Sequence, residues 1–171
     1  EHYEQGVPLH KQAVLFRAGH LSDSLEIELT RRNIPYHKYG GLRFLEAAHV
    51  KDLVSFLRIV ENPQDEIAWF RILQMIEGVG PATAGRAIAH VSQTNDPRSI
   101  RSFEPPAAAR GTWAQLAAVF DDLVTAGENH PAAQVQRIRA FYDPLLEQRY
   151  ENALARRRDL EHIEQVATGY R

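Results

Sequence analysis

The stretch "MIEGVGPATAGRAIAH", residues 75 to 90, decides how the middle of this chain folds, because it places two glycines around a single valine. Glycine adopts backbone angles that other residues avoid, so Gly78 and Gly80 predict a sharp turn. Pro81 suits the first turn of a helix, and the small residues after it continue that helix. The stretch therefore predicts a tight corner between two helices, with Val79 directed back into the core.

This corner resembles the helix-hairpin-helix motif, and its chemistry suits an anion. Amides at glycine have no side chain in front of them, and the following helix adds unpaired N–H groups and the positive end of its dipole. A phosphate fits such a site, and phosphate contacts carry no information about base sequence. We therefore expect salt-sensitive contacts to duplex DNA backbone from Gly78, Val79, Gly80, Thr83 and Arg86. The alternative is that the two glycines only end one helix and begin the next.

Composition limits the kinds of partner. The 171 residues suit one domain, or a small domain with a piece of another. A net charge of −2 excludes a strongly basic nucleic-acid binder, so any DNA contact must be a local patch. Only Lys11, Lys38 and Lys51 are lysines, so such a patch would consist of arginines, which form forked contacts to phosphate.

The residues that are missing also exclude classes of protein. The absence of cysteine removes disulfides, thiolate metal sites and cysteine nucleophiles. No apolar run approaches the roughly 18 residues of a membrane span, and we expect a cytoplasmic protein. The chain begins at Glu1 and its one methionine is Met75, which predicts a fragment of a longer protein.

The start of the chain predicts a small βαβ unit. Ala13 to Phe16 form a short apolar run typical of a buried strand, and "LSDSLEIELTRRN" predicts a helix after it. "IPYHKYGG" then predicts a second strand, ended by Gly40 and Gly41. Two strands do not make a stable sheet alone, so this unit is expected to be the edge of a larger domain.

After residue 42 only helices are predicted, so the fold class is mainly α. Apolar residues at helical spacing predict a helix that ends at Asn62 and Pro63, and "DEIAWFRILQMI" predicts a second, buried helix. A third helix starts at Pro81. A proline-rich connection follows, and then three more helices over about 112 to 126, 131 to 147 and 150 to 168.

Residues 13 to 85, "AVLFRAGHLSDSLEIELTRRNIPYHKYGGLRFLEAAHVKDLVSFLRIVENPQDEIAWFRILQMIEGVGPATAG", resemble UvrD/Rep-type superfamily 1 DNA helicases. Those proteins carry a similar strand, helix, N-I-P-Y turn, Y-G-G joint and G-I-G corner in this order. The resemblance implies that residues 1–42 are part of the second RecA-like motor subdomain, 2A, and that residues 43–171 are the helical 2B insertion. It implies a hinge at Gly40 and Gly41, and duplex DNA contact at Gly78, Val79 and Gly80. This chain departs from the family by having Val79 for isoleucine and the acidic Glu77 before the corner.

The same resemblance implies an ATP-dependent enzyme with 3′-to-5′ unwinding, which binds single-stranded and duplex DNA and uses ATP and Mg²⁺. The 171-residue sequence contains no G-x-x-x-x-G-K-[ST] loop and no magnesium-binding carboxylate pair. We therefore expect no catalytic residue and no cofactor within this chain, which should not hydrolyse ATP by itself.

Other functions have weaker signals. A helix-hairpin-helix glycosylase needs a catalytic aspartate, for which Asp96 is the candidate, but the βαβ start has no role there. A regulatory or protein-binding module that swivels about Gly40 and Gly41 is compatible with DNA contact. The eight histidines are scattered, so no metal site is expected. The run Arg156 to Arg158 is interpreted as a solvated helix face, and both tryptophans as core residues.

Overall fold

The computed structural model describes residues 6–17, 19–38, 44–125 and 130–169. The chain divides into two units, Glu1–Leu45 and Glu46–Arg171. The proposed hinge residues Gly40 and Gly41 lie outside the described residues.

The first unit contains one α-helix, α1 (Asp23–Arg31), with short 3₁₀ turns at Leu9–Lys11 and Gly19–Ser22. Inside it, the buried Glu26 carboxylate accepts hydrogen bonds from Ser22 Oγ at 2.8 Å and from Lys38 Nζ at 2.5 Å. This buried pair fixes α1 against the segment that follows it.

The predicted βαβ start is wrong for the residues described, which contain no strand. A strand is defined by its ladder of hydrogen bonds to a neighbour, and among the described residues nothing pairs with the predicted segments. Leu15, which a buried strand would cover, is 95% exposed. The apolar run is present, but its pairing partners are not among the described residues.

The second unit is entirely helical over its described residues, which confirms the mainly α prediction. Its six α-helices are α2 (Ala48–Glu61), α3 (Glu66–Leu73), α4 (Pro81–Ser92), α5 (Arg110–Thr125), α6 (Pro131–Arg149) and α7 (Ala153–Ala167). Short 3₁₀ turns lie at Pro97–Ser102 and Ala107–Ala109, and a third, Phe44–Glu46, has residues on both sides of the division between the units. Asn62 caps the end of α2 and Pro81 opens α4, as predicted.

Helix α2 is the centre of this unit, since it packs against α3, α5, α6 and α7. Its apolar residues recur every third position, so one face is buried completely: Val50, Leu53, Phe56 and Ile59. The Phe56 ring lies 6.0 Å from that of Phe120 and 5.8 Å from that of Phe141. The two tryptophans are also core residues, as predicted.

Helix α3 is only partly buried, which differs from the prediction. Trp69, Ile72 and Leu73 face the core, whereas Ile67 is 74% exposed and Phe70 is exposed in part. An eight-residue helix packed on one side cannot cover apolar side chains around its whole circumference.

A buried carboxylate joins three of these helices. Asp52 of α2 accepts hydrogen bonds from Arg71 of α3 at 2.9 Å and from Tyr142 of α6 at 2.7 Å. Burial and the nearby Asp52 charge raise the pKa of the Tyr142 hydroxyl, so it stays protonated and donates. Because α3 leads directly into the glycine corner, this network also fixes the direction from which the chain enters it.

Candidate nucleic-acid interface

The corner connects α3 to α4, and Val79 anchors it. The Val79 side chain is 6% exposed and belongs to the hydrophobic core. Its amide donates to the Ile76 carbonyl at 3.1 Å, and its carbonyl accepts from Gln74 Nε2 at 3.2 Å. Both main-chain groups of Val79 therefore have partners within the corner, and its buried side chain holds the corner in place.

Gly78 must be glycine for two separate reasons. Its φ of +80° lies in the left-handed region, and a Cβ added there would lie 3.1 Å from Ala108 Cβ. The first reason is backbone strain, and the second is close packing against the turn Ala107–Ala109.

Replacing Gly78 with alanine should lower the free energy of unfolding by about 1–3 kcal/mol, because strain and crowding add. Gly80→Ala is the matched control. Its φ of −86° is ordinary and nothing lies within 4 Å of its Cβ position, so we expect only a smaller loss, about 0.5–1 kcal/mol, because alanine is a poorer N-cap than glycine. Urea denaturation followed by circular dichroism measures both. Equal losses in the two variants would contradict this account of Gly78.

Gly80 is exposed and is the N-cap of α4. It has no side chain that could accept a hydrogen bond from the first turn, and Pro81 has no N–H to donate. Across the described parts of the chain, the amides of Gly80, Ala82 and Thr83 donate no hydrogen bond. Several donors at the positive end of one helix therefore face outward without a partner.

Thr83 and Arg86 stand on the first two turns of α4, three residues apart and thus on the same side. Thr83 is half-buried, and its hydroxyl makes no hydrogen bond within the described ranges. Arg86 is exposed and forms no ion pair among the residues described. The structure thus places Gly80 at the N-cap of α4 and Thr83 and Arg86 in its N-terminal half, next to the corner residues Gly78 and Val79 and the exposed acid Glu77.

One neighbour of the corner was missed at the level of sequence. The proline-rich segment was interpreted as a connection, yet its turn Ala107–Ala109 packs against Gly78 and leads without a break into α5. Pro105 and Pro106 before three alanines signal a helix start, but only tertiary packing places that start at the corner.

The residues of the competing functions have structural roles instead. Asp96 accepts from the Arg98 amide and from its guanidinium, at 2.7 to 3.0 Å. These bonds lower the pKa of Asp96, and its carboxylate is the N-cap of the turn Pro97–Ser102. No group of three or more potential metal ligands occurs in the part of the chain that the structure describes.

The arginine run on α7 is not a uniformly solvated face. Arg156 donates to His49 Nδ1 at 3.0 Å and stacks over the Tyr150 ring, 4.1 Å from its centroid. Arg157 pairs with Glu147, and Arg158 is exposed. Only Arg158 therefore fits the predicted solvated role.

Comparison with known proteins identifies the family of this chain. A family model described as the UvrD-like helicase C-terminal domain matches residues 1–101, which include the corner. The chain belongs to this UvrD-like helicase family. The predicted resemblance to UvrD/Rep-type helicases is thereby confirmed. Residues after 101, including α5, α6 and α7, lie outside the match.

Individual UvrD-like relatives agree with this assignment. The chain is 32% identical over 96 residues to ATP-dependent DNA helicase PcrA of Staphylococcus epidermidis, which is 56% of this chain and 13% of that protein. It is 40% identical over 81 residues to DNA helicase II of Haemophilus influenzae, 47% of this chain and 11% of that protein. The chain therefore spans a small part of these relatives. None of its described helices has the length and apolar character needed to cross a membrane.

Proposed function

We propose that this chain is an accessory region of an ATP-dependent DNA helicase and that its corner contacts the backbone of duplex DNA. One observation carries the proposal: the exposed Gly80 caps α4 without a side chain, so the amides of Gly80, Ala82 and Thr83 remain available. A phosphate oxygen is a strong acceptor for such donors. The names of the relatives, both DNA helicases, support DNA as the partner.

The other candidate contacts complete one phosphate-binding surface. The Thr83 hydroxyl can donate a further hydrogen bond, and Arg86 supplies a positive charge one turn away. Val79 contributes by fixing the corner through its buried side chain. These contacts recognise the sugar-phosphate backbone, so binding should not depend on base sequence.

The role in the whole enzyme follows from the family. Residues 1–42 would belong to motor subdomain 2A and residues 43–171 to the 2B insertion, with a swivel at Gly40 and Gly41. ATP and Mg²⁺ would act in motor parts outside this sequence, and would drive 3′-to-5′ unwinding in the cytoplasm. The 171 residues themselves would bind DNA without hydrolysing ATP.

Titration of the 171-residue chain with a fluorescently labelled blunt duplex tests the proposal. Anisotropy should show weak binding at low salt that is lost as salt rises, with a slope of roughly 0.9 in log affinity per phosphate neutralised. Duplexes of different sequence should bind equally. A flat titration at low salt would contradict the proposal.

Exposed apolar residues on α3 favour a second function. Ile67 and Phe70 lie one turn apart on the outer side of α3, as expected for a surface that contacts another protein. The chain would then act as a regulatory module. Two results together would favour this function. The 171-residue chain would not bind duplex, and Ile67→Ser would change the activity of the full enzyme.

A further inference from the structure

The turn Ala107–Ala109 extends the corner into a larger surface. The Cβ position of Gly78 lies 3.1 Å from Ala108 Cβ and 3.8 Å from the Ala109 amide nitrogen. Arg110 is the next residue, and each residue of a helix advances by about 1.5 Å. Helix α5 therefore begins immediately beside the corner.

Arg110 is the loosely held arginine of this region. Its side chain is 67% exposed, and its carboxylate neighbour Glu104 is 3.8 Å away and 89% exposed. An exposed ion pair at that separation contributes little to stability. Arg98 and Arg101, in contrast, are paired with Asp96 and Asp121. Arg110 can thus exchange its partner for a ligand at low cost.

Gly111, the next residue, leaves the surface beside Arg110 open. A Cβ added to Gly111 would meet nothing within 4 Å, and its φ is not positive. Gly111 is the second residue of α5, and glycine is less favourable than alanine in a helix, by up to about 1 kcal/mol in the middle of one. The fold alone does not require glycine at this position, whereas the close approach of another molecule would.

We infer that Arg110 binds a second phosphate of the duplex whose backbone meets the Gly80 corner; this inference rests on the proposed function. The guanidinium replaces Glu104 by a phosphate, whose oxygens accept two parallel N–H bonds from the fork. The surface around Gly111 gives the sugar-phosphate chain room. Glu104 competes with the phosphate for the same guanidinium, so it limits the affinity.

Substitutions at two exposed residues test the inference, because they should change the affinity for duplex in opposite directions. In duplex titrations of the full 171-residue chain, Arg110→Gln should reduce the slope of log affinity against log salt by about 0.9, because one phosphate contact is lost. Glu104→Gln should bind more tightly than the unaltered chain, because it frees Arg110. Arg158→Gln is the control, since Arg158 is also exposed but lies on α7, which packs on α2 and α6.

The outcomes separate this inference from the proposed function. If the unaltered chain does not bind duplex, both are wrong. If it binds, and Arg110→Gln keeps the salt slope of Arg158→Gln, then the role of Arg110 is wrong and the proposed function stands. A weaker salt slope in Arg110→Gln with unchanged urea denaturation supports the inference, because a structural role would change stability instead.

Discussion

Replacing Gly80 with aspartate is expected to abolish duplex binding without destabilising the protein. Aspartate is a favoured N-cap residue, and its carboxylate would accept hydrogen bonds from the amides of Ala82 and Thr83. Those are the donors that the proposed phosphate contact needs. The substitution therefore occupies the site and also repels the DNA by its charge.

The stability of this variant makes the result interpretable. The φ of Gly80 suits aspartate and its Cβ position is open, so the free energy of unfolding should rise by about a few tenths of a kcal/mol. Loss of binding could then not be attributed to unfolding.

Controls divide the effect into its parts. Gly80→Ala leaves the net charge unchanged and leaves the amides of Ala82 and Thr83 without a partner, so it should keep most of the binding. Gln136→Glu adds one negative charge on the exposed side of α6, which packs mainly on α2, α5 and α7, and should weaken binding only slightly. If Gly80→Asp binds duplex as tightly as Gln136→Glu, the amides of α4 are not the contact.

Replacing Asp52 with alanine should cause the largest loss of stability, about 3 kcal/mol, because it leaves the buried Tyr142 hydroxyl without its acceptor and Arg71 without its ion pair. The Tyr142 side chain is fully buried, so its hydroxyl cannot reach solvent, and the partly exposed Arg71 loses its ion pair. Since Tyr142 donates from α6 and Arg71 from α3, the loss should weaken the packing of α2 on α6 and on α3.

Urea denaturation of Asp52→Ala, Tyr142→Phe and the double variant measures this network. Tyr142→Phe removes one hydroxyl and keeps the ring, so it should cost about 1–2 kcal/mol. The loss in the double variant should be smaller than the sum of the single losses, because both remove the same bond. Additive losses would show that Asp52 and Tyr142 act independently.

The sequence predicted the helical elements well because their signals are local. The helical spacing of Val50, Leu53, Leu57 and Val60 predicts α2, and Pro81 marks the start of α4. The failed strands show the limit, since a strand depends on a partner that a single segment cannot reveal. Likewise, Leu15 carries the signal of a buried residue although no described residue covers it.

The corner between α3 and α4 was predicted in position but not in detail. The pattern G-V-G cannot say which glycine is required by strain and which is open to a ligand, since φ is a result of tertiary structure. The contact between Gly78 and Ala108 joins residues far apart in sequence, so no local pattern could reveal it. The hydrogen bond from Tyr142 to Asp52 is equally non-local.

The position of α2 has a practical consequence for how this family region can be divided. The recognisable homology stops at residue 101, yet Phe56 of α2 packs on Phe120 and Phe141 beyond that point. A protein cut where the homology stops would expose these rings to water and would be prone to aggregate. The smallest independently folding piece of this helical unit must therefore extend through α6, well past residue 101, where the match to the family ends.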